Sequence, residues 1–386
     1  MPSAQMQSSA VKEKRPLRIA LFNWRDLGSP KSGGAEVATD QLAQGLTRRG
    51  HRVTWFTSRY PGASKHDVRN GYEVRRAGSE LTCRLFGFAW LFRNRGRVDV
   101  AIDEVNTLPF LSRLILPRRH LVWMHQLARE VWPLEAPPIV GAIGYAFEPV
   151  LMSIYRRAPI ATISESSART FQDFGLRGPI TVAEIALQPP AKVLGTPRIG
   201  RIGYVGRIAP SKRIDHIIRA IALLRERGLP AELVVVGAGL SQERDRLQRI
   251  AHALRAAQFV QFTGRISMEE RDRTMRSLDL LAMTSVREGW GLVVSEAARF
   301  GVPSVVYPVP GLVDAVRDGE TGIVCASESP QSLASGCAAL IEDRTLRNRF
   351  GAAAARNLFA YDDERFVGRI EALLQRIVAG GAVASK

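Results

Sequence analysis

Cysteine is scarce in this 386-residue chain, which holds only Cys83, Cys325 and Cys337. Three scattered thiols, odd in number, exclude a disulfide framework and a cysteine-rich zinc cluster and fit a reducing cytosol, so no structural metal is expected. A long apolar run is also missing. The longest, 139–154, is interrupted by Glu148 and Pro149 and falls short of the roughly 20 residues that a spanning helix needs, so nothing is expected to cross a bilayer. The first 15 residues carry Gln and Ser where a secretory leader needs apolar side chains, and residues 1–16 are expected to form a frayed tail. Acids are short relative to bases. With 37 Asp and Glu against 54 Lys and Arg the net charge is +17, a balance that draws the surface towards nucleic acid, acidic lipid headgroups or phosphorylated substrates. Residues 1–195 hold 27 of the bases and 16 of the acids, so +11 of that charge lies in the first half.

What remains is ordinary globular material, 46% hydrophobic, 24% charged and 7% aromatic, which argues against disorder and against a fibrous repeat. The length favours two units, each burying its own core. Apolar runs at 18–23, 53–57, 98–102, 120–124 and 160–164 predict strands. The first leads through a loop with Gly28, Gly33 and Gly34 into a helix whose Ala35, Ala38, Leu42 and Leu46 share a face. After three prolines and a glycine in 187–198, which read as a linker, the pattern restarts at 201–206. A helical stripe of Ile214, Ile217, Ile218, Ile221 and Leu224 follows, then strands at 233–236, 260–263, 278–283, 304–307 and 322–325. The expected architecture is α/β, with a doubly wound Rossmann-like domain at 17–190 and a second at 199–358. A last amphipathic segment, 359–378, is expected to cross back to the first. Facing open sheets put the carboxyl ends of their strands on either side of one cleft, and chemistry belongs there.

Gly33 and Gly34 let backbone approach a ligand at a helix amino end, where free N–H groups suit phosphate, although such glycines also serve simply as tight-turn residues. Gly206 and Arg207 end the first strand of the second domain and Lys212 follows. A guanidinium fork beside a mobile ammonium could neutralise a diphosphate, and the plainer alternative is a pair of solvated cations. The segment 285–296, SVREGWGLVVSE, sets Glu288 and Glu296 around Gly289, Trp290, Gly291 and Leu292 between a strand and a helix. A carboxylate in that loop suits sugar hydroxyls, and one two turns on suits both hydroxyls of a ribose. A helix-capping Glu288 and an exposed Glu296 are the competing assignment, weakened by the apolar neighbours Val293, Val294, Ala297 and Ala298.

Taken in order, GGAE at 33–36, HQL at 125–127, ISES at 163–166, YVGRIAPSKRID at 204–215, EGWGLVVSE at 288–296, FGVPSVV at 300–306 and DGETG at 318–322 resemble family 4 of the retaining glycosyltransferases, which have the two-domain GT-B fold. The resemblance covers nearly the whole chain. It implies a nucleotide diphosphate sugar as donor, UDP- or GDP-linked, and no cofactor besides that substrate. The acceptor it implies is a glycan, a lipid-linked molecule or a small molecule, in bacterial cell-envelope polysaccharide or glycolipid synthesis. Arg207 and Lys212 stand where the family grips the diphosphate, with the Gly34 backbone opposite. Glu288 matches the glutamate facing the donor sugar, Glu296 the one on the ribose, and His125 a cleft histidine contacting the transferred sugar; taken alone, that histidine reads as a polar strand cap. Backbone near Ile266 corresponds to a base contact. Pro310 departs from the family pattern, because it stiffens a turn where many members have glycine and offers no N–H.

Residues 84–97, RLFGFAWLFRNRGR, mix four aromatics with arginines. They read either as the core face of a helix or as a surface for an anionic membrane, docking the protein peripherally on the cytoplasmic leaflet. Two other classes compete with a transferase: another GT-B enzyme, such as a phosphorylase or sugar-nucleotide epimerase, and a basic nucleic-acid-binding protein. The last ranks low, since the bases are scattered and no specific nucleic-acid motif accompanies them.

Overall fold

The computed structural model describes residues 15–192 and 195–380, so that all but the last two residues of the expected tail lie outside it. The first sheet contains β1 (Arg18–Phe22), β2 (Arg52–Thr57), β3 (His66–Arg69), β4 (Tyr72–Arg76), β5 (Val100–Glu104), β6 (His120–Trp123), β7 (Ile160–Thr162) and β8 (Ile180–Val182). Their spatial order is β3-β4-β2-β1-β5-β6-β7-β8, with every pair parallel except β3 and β4. The second contains β9 (Arg201–Val205), β10 (Glu232–Val236), β11 (Val260–Gly264), β12 (Leu280–Met283), β13 (Ser304–Val306) and β14 (Gly322–Val324), all parallel in the order β11-β10-β9-β12-β13-β14.

Helices cover both faces of each sheet, which is why the central strands are continuous apolar runs. In β1, Ile19 and Leu21 face one layer of the core and Ala20 and Phe22 the other. The first layer includes the helix Gly34–Arg48 and also the helix Asp363–Val378, whose Phe366, Val367, Ile370, Leu373, Leu374 and Ile377 are buried there. A Cβ on Gly45 would lie 2.4 Å from Val367, so the two helices pack at a distance only glycine permits. His51 and Glu371 pair beneath them at 3.1 Å. The chain therefore passes between the domains twice, near Leu187, whose N–H donates to Tyr361 O, and again through Tyr361 itself.

In both sheets the strand order reverses beside the first strand of the domain, at β1/β5 and at β9/β12. Ligands of open α/β sheets bind at such switch points, outside the carboxyl ends of the strands. The loop after β1 carries Gly33 and Gly34, and the loop after β9 carries Gly206, Arg207 and Lys212.

Candidate active site

Gly206 closes β9 with φ of +153, backbone that glycine adopts readily. Buried Tyr204 beneath it donates its hydroxyl to Arg207 O at 2.8 Å, and burial pushes that phenol well above its ordinary range. A short turn, Pro210–Lys212, then presents Ser211 and Lys212. Thr284 Oγ1 donates to Lys212 O at 2.8 Å and fixes this turn against the end of β12.

Lys212 Nζ donates to Glu288 Oε1 at 2.5 Å, and Ser285 Oγ donates to the same oxygen at 2.7 Å. Both partners of the ion pair are less than one-fifth exposed, so the pair is partly shielded from water and each charge holds the other in place. Glu288 N–H donates to Pro310 O at 3.2 Å. Pro310 thus has no N–H to offer but supports the glutamate through its carbonyl. Next to it Gly311, at φ +82, packs so closely that a Cβ would sit 2.4 Å from Glu288 O.

Arg207 is gripped from across the cleft. Its guanidinium forks onto the Glu135 carboxylate at 2.9 and 2.6 Å, and Ser211 Oγ also donates to that carboxylate. Burial pushes Glu135 up, but the hydrogen bonds from Arg207 and Ser211 and the charge of Lys212 outweigh it and hold the acid below the usual carboxylate range. At the end of β9, Arg207 and Ser211 thus hold a carboxylate of the other domain between them.

On the opposite wall His125 is buried at the end of β6, its ring edge-on to Trp123 at 4.8 Å. Nε2 lies 3.2 Å from Glu104 Oε1. A carboxylate accepts only, so Nε2 carries the proton, and in the neutral ring Nδ1, which has no partner among the described residues, is left as an acceptor. Glu104 is held in turn by Thr39 Oγ1 at 2.5 Å and by Asn106. A Cβ on Gly289 would come within 2.9 Å of His125 Cβ, and one on Gly34 within 3.1 Å of Leu292 Cδ1. The glycine-rich loops of the two domains thus meet across the cleft.

The other sequence-designated residues divide. Gly33 N–H is taken by Glu36 Oε2 at 2.6 Å, so that Gly34, rather than Gly33, stands towards the second domain. Burial raises Glu36, against the opposing charge of Arg25. Gly291 starts the helix Leu292–Ala298 at φ +85. The Trp290 side chain turns away from the cleft: it is buried in the first domain's core, donates Nε1–H to Ser295 Oγ at 3.1 Å and stands edge-on to Tyr361, leaving only its backbone to the loop. Glu296, about one-third exposed, pairs with Arg271. Ile266 follows β11, half-buried, beside Arg265, which donates to Pro30 O at 3.0 Å across the cleft. Glu135, Glu104, Arg271 and the link of Ser166 to Asp314 and Gly311 were not singled out in the sequence. Their partners are distant in sequence and only folding juxtaposes them.

Two family models match this chain, Glycosyltransferase Family 4 over residues 32–184 and Glycosyl transferases group 1 over residues 199–357. The D-inositol 3-phosphate glycosyltransferase of Nocardia farcinica is 34% identical, with 89% of this chain and 85% of the relative covered. The chain belongs to family 4 of the glycosyltransferases. The protein of the same description from Salinispora arenicola is 33% identical to this family 4 chain over 50% of its length, a match that spans 45% of the relative. Its fold is GT-B. Sucrose-phosphate synthase from Thermosynechococcus elongatus superposes with a TM-score of 0.77 at 18% identity, covering 95% of this family 4 chain and all of the other. Anabaena HepE in complex with UDP and glucose does so at 0.68 and 19%, covering 93% and 99%.

Proposed function

We propose that this family 4 protein is a retaining glycosyltransferase that moves a sugar from a UDP- or GDP-linked donor to a glycan, lipid-linked or small-molecule acceptor, on the cytoplasmic side of a bacterial envelope pathway. The observation that carries the reading is the pairing of Lys212 with Glu288 beside an oxyanion grip made by Arg207 and Ser211 at the β9 switch point. A donor phosphate takes the place of the Glu135 carboxylate on Arg207, since both present oxygens to the same fork. Glu288, fixed by Lys212 and Ser285, accepts from hydroxyls of the donor sugar, and Glu296 from the ribose. His125 contacts the transferred sugar from the other wall.

Breaking the anomeric carbon–oxygen bond builds positive charge on the sugar and negative charge on the departing diphosphate. Arg207 and Lys212 lie where the negative charge gathers, and fixed cations lower such a barrier without a metal. In the retaining reaction a departing phosphate oxygen takes the acceptor's proton on the face it leaves. The relatives named for D-inositol 3-phosphate make a phosphorylated polyol a natural first acceptor to try, and the HepE complex makes UDP-glucose a first donor.

The test is to screen nucleotide sugars by thermal shift, since a ligand that binds only the folded state raises its melting temperature, and then to follow nucleotide release with the best donor. Lys212→Ala and Glu288→Ala are expected to lower turnover by about a hundredfold or more, as for loss of one transition-state electrostatic contact, with circular dichroism unchanged. Near-normal turnover in either variant would defeat the site assignment.

A further inference from the structure

The helix Pro138–Ser153 is inverted. Its exposed Ile139, Ile143, Phe147 and Val150 recur at spacings of four, four and three, which at about 100° per residue places them in one stripe. Gly141, Glu148 and Met152, the residues it buries, lie on the opposite side. The one acid of the helix is thus turned inward, where its carboxylate accepts the N–H groups of Ala128 and Arg129 at 2.7 and 2.8 Å, while the aliphatic side faces out. A helix so arranged is matched to a surrounding that is not water.

It does not stand alone. The helix Cys83–Asn94 leaves Leu85, Phe86 and Phe92 exposed, while Trp90 packs on Phe22 and Phe56. Alternation along the strands puts both helices on one face of the first sheet: Phe22 and Ala101 meet the first helix, and Val122 and Ile160 meet the layer that Met152 belongs to. Asp103, on that same face, accepts from Phe110 N and Ser112 N and from Tyr155 Oη just past the second helix. Of the nineteen large apolar side chains exposed among the described residues, twelve lie between Leu81 and Val150.

Charge names the partner. Between residues 84 and 157 there are ten arginines and no lysine. The six acids of that stretch are all engaged: Asp99 by Arg18, Asp103 as above, Glu104 by His125, Glu130 by Arg287, Glu135 by Arg207 and Glu148 by backbone. Arg93, Arg95, Arg97, Arg118, Arg156 and Arg157 remain exposed, the last two just past the end of the helix Pro138–Ser153. Two copies of this face would set arginine against arginine, whereas a leaflet of anionic lipid answers both the apolar stripe and the exposed arginines.

We infer that this face docks on an anionic bilayer, with the helix Pro138–Ser153 lying in the plane of the headgroups and its aliphatic stripe inserted. The segment Val131–Glu135, which grips Arg207, leads directly into that helix. Docking therefore sets the cleft next to the lipid surface and, resting on the transferase reading for this step, selects a lipid-linked acceptor over a soluble one.

Flotation with vesicles of phosphatidylglycerol and phosphatidylcholine in equal parts, against phosphatidylcholine alone, tests the surface. The wild-type chain should float with the anionic vesicles at least about tenfold better, since each arginine near such a surface adds to binding. The double variant Ile143→Asp, Phe147→Asp and the separate pair Arg156→Glu, Arg157→Glu should each abolish flotation while leaving thermal stability and donor hydrolysis unchanged. Equal flotation with both lipids, variants that float like wild type, or a concentration-dependent dimer that the aspartate variant abolishes would each overturn the inference. Turnover without flotation would remove the surface and keep the enzyme; flotation without turnover on any nucleotide sugar would do the reverse.

Discussion

Glu135 is held by Arg207 and Ser211, and under the proposed function a donor phosphate would displace it, one oxyanion exchanged for another. The Glu135→Ala variant removes the internal competitor, and the KM for the nucleotide sugar is expected to fall by about 3- to 10-fold. A charge-assisted hydrogen bond supports the upper figure, and because Arg207 is 59% exposed solvent screening trims it. The acid's folded pKa is depressed, so its hold on the cleft is complete above the ordinary carboxylate range and is lost only as pH falls through the lowered value. Donor KM in the wild type should therefore stay flat from neutral pH down to the carboxylate range, which initial-rate measurements will check. At this scale the sequence was readable where short segments at strand ends place residues at the cleft, as with Arg207, Lys212 and Glu288. It was not readable where a pair spans the fold, as Glu135 with Arg207 or Ser166 with Asp314 do. Trp290 shows a different gap: an aromatic between two glycines invites a stacking role, and nothing local reveals that its ring is held by Ser295 and Tyr361.

Among the elements, the helix Asp363–Val378 serves as a layer of the first domain's core, stacking Phe366 near Trp123 with ring centroids 6.1 Å apart. Phe366→Ala should cost about 3 to 5 kcal/mol, the usual range for deleting a buried aromatic, read as a lower urea midpoint of the transition that reports on the first domain. Periodicity exposed this helix and the buried central strands in the sequence, because continuous apolar runs and a 3.6-residue stripe are strong signals. It missed β3 and β4, although Asn70 and Gly71, at φ 50 and 88, form the two-residue turn that such a dipeptide favours. The intervening strand HDVR is exposed and polar, so no alternation marks it. The edge strand β8 is half-buried throughout, so no buried apolar run marks it in the sequence. The segment 84–97 was legible only in part: one helix face does enter the core, yet Phe86 and Phe92 stay outside it.

For the whole molecule, two doubly wound units could be read from the alternation of strands and helices, whereas their switch points show only in the spatial strand order of the folded sheets. How the halves close on one another could not be read either, because closure rests on Glu130 with Arg287, Glu135 with Arg207 and Ser166 with Asp314, pairs that no local pattern announces. The second crossing, through Tyr361, makes the two halves unequal in independence. A chain ending after Tyr361 should retain a protease-resistant second domain while the first is digested, which limited proteolysis with mass spectrometry will resolve. During synthesis the early half must wait on the ribosome with Leu42, Leu46 and Trp123 uncovered until the final helix emerges, so the last part translated governs whether the part made first survives.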